Sequence, residues 1–264
     1  MELFLQADTW IVLLTLVFLE IVLGIDNIIF ISIASSKLPE GEQKRATNIG
    51  LILAMVLRIV LLFGVSWLIS MSAPWFHLDF PGFHAGFSGQ SLILITGGLF
   101  LLYKSTVEIR DKVEGDGHHN LDDKSSGSTF QKVLIQITLI NIVFSFDSIL
   151  TAVGMTNGME GALILMIIAV VASVIIMLLF ANPVGNFVQK HPTIQMLGLS
   201  FLILIGFMLI AEGMHLAHAV VMDREIGVIP KGYLYFAIAF SLLVEFLNMR
   251  MRKNNHVLPG EGRA

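Results

Sequence analysis

The sequence contains no cysteine, and only 14% of its 264 residues are charged. The absence of cysteine excludes disulfide bonds and thiolate metal sites. The low charge excludes an ordinary soluble domain, in which about 25% of the residues are charged. Hydrophobic residues make up 55% of the chain, so we expect lipid to cover most of its surface.

Motifs of ATP-driven and hydrolytic enzymes are also lacking. The sequence has no Walker phosphate-binding loop, no nucleophile elbow and no His-Glu-x-x-His motif, which are the usual signatures of those chemistries. No nucleophile and base can be paired either. We therefore predict that the chain is not an enzyme, holds no permanently bound cofactor and has no nucleic-acid partner.

Seven apolar runs have the length, or nearly the length, of a transmembrane helix, which needs about 20 residues. They cover residues 10–33, 49–71, 87–103, 133–153, 162–180, 196–211 and 233–249. Lipid tolerates only helices and closed barrels, and these runs are too long and too unalternating for barrel strands. The sequence therefore predicts an all-α polytopic membrane protein of about seven transmembrane helices in a single membrane domain.

Lysine and arginine are concentrated in alternate loops. The first, third and fifth loops and the C-terminal tail carry basic residues, whereas the second and fourth carry none. The sixth loop, with Arg224 and Lys231, is the one exception. Because cytoplasmic loops are enriched in positive charge, we predict a bacterial plasma (inner) membrane protein with its N-terminus outside and its C-terminus in the cytoplasm. Segment 111–129 then becomes a flexible cytoplasmic linker.

Two segments on either side of this linker share one pattern of polar residues, when residues 19–29 are aligned with residues 140–150. The alignment sets Asp26 on Asp147, Glu20 on Asn141, Asn27 on Ser148, Gly24 on Ser145 and, more loosely, Gly98 on Gly206. Three helices per copy is an odd number, so the second copy must enter the membrane from the opposite side. We predict an inverted three-plus-three repeat (A about 10–110, B about 130–217) plus a final helix at about 231–249, with the substrate site between the copies.

Inserting a charged residue at membrane depth costs roughly 2.5–3.5 kcal/mol of free energy. Packing alone does not explain such residues, which indicates a functional role. Their oxygens suit hard divalent cations such as Mn²⁺ or Ca²⁺. We predict a metal site with carboxylate ligands, neutral ligands and a balancing cation. Glu20 and Asp26 would converge on one ion only if the first helix loosens between them, and Gly24 is where it could. The carboxylate ligands are Asp26, Asp147 and Glu20, the neutral ligands are Asn27, Asn141 and Ser148, and the balancing cation is Arg58. The alternative is that these carboxylates are structural.

Glu212 and His215 lie one helical turn apart near the outer end of the sixth span. A Glu-x-x-His pair can bind a metal from one helix face, which suggests an outer site. An interfacial polar cap without metal is the simpler interpretation of the same two residues.

The paired motifs, Glu20-Ile-Val-Leu-Gly-Ile-Asp-Asn27 and Asn141-Ile-Val-Phe-Ser-Phe-Asp-Ser148, closely resemble those of the TerC family of bacterial membrane proteins. The resemblance extends to His191-Pro192 and to the segment that begins at Lys231. It implies a secondary transporter of the three-plus-three superfamily that exports a divalent cation, with Mn²⁺ as the first candidate and Ca²⁺ as the second. The family is named for tellurium resistance, and members are linked to manganese efflux and to supplying metal to exported enzymes.

A rival interpretation is a membrane scaffold, linked to tellurite resistance or protein secretion, whose carboxylates are structural. Besides lipid and a metal substrate, the expected partners are then the secretion machinery or further copies of this chain. Deleting the linker should harm a scaffold more than a transporter.

Overall fold

The computed structural model describes residues 7–114, 130–156, 159 and 161–255. The described part of the chain forms eight helices and four short strands. The helices are α1 (Ala7–Ser35), α2 (Glu40–Phe63), α3 (Val65–Ser70), α4 (Gly89–Glu114), α5 (Phe130–Thr156), α6 (Ala162–Lys190), α7 (Pro192–Leu216) and α8 (Lys231–Asn255). The strands are β1 (Pro74–Phe80), β2 (Phe83–Ser88), β3 (Val220–Val221) and β4 (Arg224–Glu225).

Seven of the described helices are long and apolar enough to cross a membrane, namely α1, α2, α4, α5, α6, α7 and α8. This confirms the predicted all-helical membrane fold and the number of spans. Large apolar side chains such as Phe18, Phe63, Leu179 and Phe207 are more than half exposed, as expected of surfaces that face lipid and not water.

The predicted second span, 49–71, is wrong in its boundaries. Helix α2 begins earlier, at Glu40, and ends at Phe63, where Gly64 separates it from the short α3. Glu40 and Glu42 lie in the first turn of α2, where negative charge is favourable next to the positive end of the helix dipole. The apolar count missed this turn because it is polar.

The loops after α3 and after α7 pair into one small antiparallel sheet in the order β1-β2-β3-β4, which the sequence analysis did not anticipate. Gly82, with φ of +82°, reverses the chain between β1 and β2. Met222 and Asp223 both have positive φ, as in the type I′ turns that join short antiparallel strands. Because β2 pairs with β3, these two loops lie at the same end of the bundle, here called the sheet end.

Ion pairs and hydrogen bonds at the opposite end of the bundle join other loops. Lys37, between α1 and α2, donates to Glu108 of α4 at 2.5 Å. Lys112 of α4 donates to Gln195 of α7. The loops joined at the two ends therefore alternate along the chain, as expected if α1, α2, α4, α5, α6, α7 and α8 each cross the membrane once.

The helix pairing is that expected of two copies related by a two-fold axis. Helix α4 packs most closely on α7, α1 on α6, and α2 on α5. An axis that exchanges the copies turns the α1–α6 pair into the α5–α2 pair and maps the α4–α7 pair onto itself. Helix α8 lies outside this arrangement and packs mainly on α7. The predicted inverted repeat gains support from this pattern and stays a prediction.

Candidate functional site

Glu20 of α1 forms an ion pair with Arg58 of α2, through the Arg58 Nη1 and the Glu20 Oε2. Both residues are only 5% exposed. Pairing offsets much of the free-energy cost of burying either charge. Of the predicted ligands, Glu20 is thus the one that the predicted balancing cation contacts directly.

Asp147 of α5 is paired with Lys231, the first residue of α8. The Lys231 Nζ lies 2.9 Å from each carboxylate oxygen of Asp147 and 2.9 Å from the Thr151 Oγ1. Asp147 is 8% exposed. Thr151 is one helical turn beyond Asp147 and donates to its backbone carbonyl at 3.0 Å, so the hydroxyl oxygen is held towards Lys231.

A cavity of about 40 Å³ lies beside this pair. Its charged lining residues are Arg58, Asp147, Glu212 and Lys231, and apart from Tyr235 the rest of its wall is apolar. A space of this size holds on the order of two or three waters or one ion with little hydration. The cavity therefore brings two carboxylates and two cations from α2, α5, α7 and α8 to one place.

A second, smaller cavity of about 10 Å³ is also lined by Arg58. Asn27 and Asn141 line it, together with Met55 and Met177. The Asn27 Oδ1 is buried and has no hydrogen-bond partner among the side chains and backbone that the structure describes, a state that costs roughly 1–3 kcal/mol. Arg58 borders both cavities, so Asn27 and Asn141 line one cavity, Asp147 lines the other, and Arg58 is common to both.

The remaining predictions concern Gly24 and Asp26 of α1 and Ser148 of α5. Helix α1 continues without a break through Gly24, so the structure does not contain the loosening that would let Glu20 and Asp26 converge. Gly24 instead lets α6 approach, because a Cβ at this position would overlap the Met177 side chain. The Ser148 Oγ donates to the Ser145 backbone carbonyl at 3.1 Å, which occupies its proton within α5. The side chain of Asp26 lies outside the described residues.

The predicted pair Glu212 and His215 divides between two environments. Glu212 faces the cavity beside Asp147, whereas the His215 Nδ1 lies 3.0 Å from the Ile226 backbone carbonyl oxygen. Glu212 thus belongs with the Asp147 group, and His215 joins α7 to the loop before α8. Among the side chains that the structure describes, no three histidines or acidic residues lie together as a ready-made metal site.

Lys231 and Thr151 are the polar partners that the sequence analysis missed. One signal was available, because Lys231 lies in the loop that broke the alternation of basic residues. A lysine that enters the bundle as an ion-pair partner is not a surface charge and carries no information about orientation.

Glu108 was also missed: it is 3% exposed and lies 2.5 Å from Lys37 and 3.2 Å from Lys104. The predicted linker lies mostly outside the described residues, since only 111–114 are described.

Seven apolar helices and buried ion pairs define this chain as a multi-pass integral membrane protein. Residues 5–256 match the family described as the integral membrane protein TerC family. The chain belongs to the TerC family, which confirms the resemblance of its paired motifs.

Several curated bacterial proteins are similar to this chain over nearly its whole length. A UPF0053 protein of Haemophilus influenzae is 44% identical over 248 residues, which are 94% of this chain and 96% of the relative. The UPF0053 inner membrane protein YoaE of Escherichia coli K12 is 42% identical over 96% of this chain, and UPF0053 protein YegH of the same strain is 43% identical over 94%. The chain spans only 45% and 43% of the lengths of these two E. coli proteins. No solved structure matches the chain.

Proposed function

We propose that this protein is a secondary transporter that exports a hard divalent cation from the cytoplasm, with Mn²⁺ as the first candidate and Ca²⁺ as the second. The observation that carries the proposal is the cavity within the helix bundle in which Asp147 and Glu212 meet. Oxygen ligands of this kind suit Mg²⁺, Ca²⁺ and Mn²⁺. Membership of the TerC family supports the proposal, because a transport role is expected of that family.

In this proposal Asp147 is the primary ligand on α5, and Glu212 is a second carboxylate beside it. Asp26 and Glu20 on α1 are further acidic ligands, while Asn27, Asn141 and Ser148 are neutral ones. Arg58 lines both cavities and balances the charge of Glu20. The ion is substrate and passes through, so the ligands need to be few and weak enough to let it leave.

The first test uses a bacterium that lacks its own manganese exporters. We expect the native chain to lower cellular manganese and to improve growth in excess manganese. Asp147→Asn should behave as empty vector, because an amide binds a hard dication less strongly than a carboxylate. Asp26→Asn is expected to do the same on the basis of the repeat. Total manganese in washed cells is the measurement.

The matched control is Asp79→Asn, the same chemical change in an exposed strand residue whose carboxylate contacts the His84 ring. It should export as well as the native chain. Unchanged export by both Asp147→Asn and Asp26→Asn, with normal amounts in the membrane, would contradict the site. No effect of the native chain would shift the assignment to another cation or to the scaffold.

A scaffold remains the second candidate, and one observation favours it. The described carboxylates Glu20 and Asp147 are already neutralised by Arg58 and Lys231, as structural ion pairs would be. A scaffold should lose its activity when the linker 111–129 is deleted and keep it in Asp147→Asn. A transporter should show the reverse.

A further inference from the structure

Lys231 is held by three protein oxygens, in the way that a small cation is held. Its ammonium group has three donors, and two Asp147 oxygens and the Thr151 hydroxyl each lie 2.9 Å away. Glu212 lies at the same cavity. The oxygens that any metal at Asp147 needs are therefore the oxygens that this lysine contacts.

We propose that Lys231 is a tethered competitor of the transported ion, so that the ion reaches Asp147 only by displacing the lysine, and that this competition selects divalent over monovalent cations. The proposal rests on the proposed function and deepens it, because it assigns to α8 a part in substrate selection. The proposal requires only that the transported ion binds to Asp147.

The charges around the cavity explain why a divalent cation displaces Lys231 more readily than a monovalent cation does. When both are ionised, Asp147 and Glu212 offer two negative charges, and Glu20 with Arg58 is neutral as a pair. One lysine supplies a single positive charge to the two carboxylates, whereas one dication supplies two. Charges about 4 Å apart interact strongly wherever water is scarce, so a dication gains more from this site than the lysine does.

A monovalent ion has no such advantage. Na⁺ or K⁺ brings the same single charge as the ammonium group of Lys231. The lysine is attached to the protein, so its effective concentration at Asp147 is in the millimolar range or above, as for groups joined by short linkers. Monovalent ions therefore have to displace a competitor of equal charge that never leaves the molecule.

Helix α8 is built to allow this displacement. It packs mainly on α7, and side chains near its start such as Tyr233 and Phe236 are about 70% exposed. The segment from Gly227 to Pro230 that precedes it is exposed as well. In the first turn of α8 only Lys231 and its neighbours Leu234 and Tyr235 reach the cavity. Leu234 is buried in the core, so withdrawing Lys231 removes the polar contact of that turn and lets it shift against this small apolar contact.

The test measures Mn²⁺ binding to the purified full chain in lipid nanodiscs, with increasing Na⁺ as competitor. For Lys231→Met we expect Mn²⁺ binding to be about tenfold tighter or more, because no positive charge has to leave the site. Na⁺ should now compete with Mn²⁺, whereas it should have little effect on the native chain. Lys231→Arg should stay close to native in its response to Na⁺. Arg224→Gln, at an exposed basic residue of the same loop, is the matched control.

A second measurement does not depend on the stability of these variants. The chain has no native cysteine, so spin labels can be placed at Tyr233→Cys in α8 and Met155→Cys near the end of α5, both exposed. Adding MnCl₂ would add a paramagnetic ion, so MgCl₂ and CaCl₂ are used as diamagnetic dications. We expect a dication to lengthen the distance between the labels, and NaCl at equal ionic strength to leave it unchanged.

The outcomes separate this inference from the proposed function. Mn²⁺ binding that requires Asp147 but is the same in Lys231→Met, with no competition by Na⁺ and no change in label distance, would overturn the competitor and leave the transporter standing. Mn²⁺ binding that is absent from the native chain and from every variant would overturn both. Weaker Mn²⁺ binding in a stably folded Lys231→Met would make the lysine a support of the site and would also overturn the inference.

Discussion

At the residue scale, two of the buried acidic groups within the bundle are held by specific cations. Glu20 is paired with Arg58, and Asp147 with Lys231. Such pairs lower the free-energy cost of charge at membrane depth, and removing one partner leaves the other charge buried alone. Structure and function therefore make competing demands on the same carboxylates, so the stability of a single variant has to be measured together with its export.

The Glu20–Arg58 pair offers a way to separate them. Glu20→Leu and Arg58→Leu should each destabilise the protein by about 3 kcal/mol, because each leaves one uncompensated buried charge. The double variant should recover most of that loss, since no charge remains. Thermal unfolding in detergent is the measurement. If Glu20 is also a ligand, the double variant should be stable and still fail to export manganese. Recovery of both stability and export would make Glu20 purely structural.

Sequence reasoning identified the acidic residues of this site better than their partners. Glu20, Asp147 and Arg58 were found because charge inside an apolar run stands out. Lys231 was missed because it comes immediately before its apolar run, where a lysine looks like an ordinary interfacial residue. Its partner lies 84 positions earlier in the chain, and no local pattern encodes a contact of that range.

At the scale of elements, the closest helix contact is the crossing of α4 and α7 at two glycines. A Cβ on Gly98 would lie 2.6 Å from the Gly206 carbonyl oxygen, and one on Gly206 would lie 2.9 Å from the Gly98 carbonyl oxygen. Small residues at such crossings let helix backbones approach in membranes. The sequence alignment had matched these two glycines to each other, and equivalent residues that touch must lie on the two-fold axis of a repeat.

We expect Gly98→Ala to destabilise the bundle by about 1–3 kcal/mol, the usual cost of overpacking. The obstacle is a backbone carbonyl, so a rotamer change cannot relieve it. Gly154→Ala in α5 is the matched control, since a Cβ there meets nothing within 4 Å and alanine favours helix. The unfolding temperature in detergent should fall for the first variant and stay or rise for the second. Equal behaviour of both would contradict the tight crossing.

The elements outside the bundle were the least predictable. The sheet forms from two loops separated by more than a hundred residues, and β3 and β4 have two residues each. Strands that short have no periodicity to detect. The boundary at Gly64 was missed for a different reason, because α3 continues the apolar run of α2 and composition alone does not show a break.

At the scale of the whole molecule, contacts at the two ends of the bundle divide the loops into two sets. The sheet joins the loops after α3 and α7, and the Lys37–Glu108 pair joins the loop after α1 to the end of α4. This is the alternation that seven spans require. The number of spans followed from run length alone, while the direction of the chain rests on the distribution of basic residues and remains a prediction.

Cysteine labelling tests that direction, because the native chain contains no cysteine. Asp79→Cys in β1 and Lys44→Cys in α2 are both exposed and lie at opposite ends of the bundle. We expect a membrane-impermeant maleimide added to spheroplasts to label the first and to label the second only after lysis. The reverse pattern would mean that the N-terminus lies in the cytoplasm, and export would then have to be redefined as uptake.

The most direct test of the central claim is transport by the purified chain itself. Liposomes containing the protein are loaded with unlabelled Mn²⁺ and diluted into a trace of radiolabelled Mn²⁺, so that exchange is followed without knowledge of the coupling ion. We predict transient accumulation of label with the native chain and Asp79→Asn, and none with Asp147→Asn. No accumulation with native protein that is folded and inserted, and none with Ca²⁺ in place of Mn²⁺, would contradict the transporter and favour the scaffold.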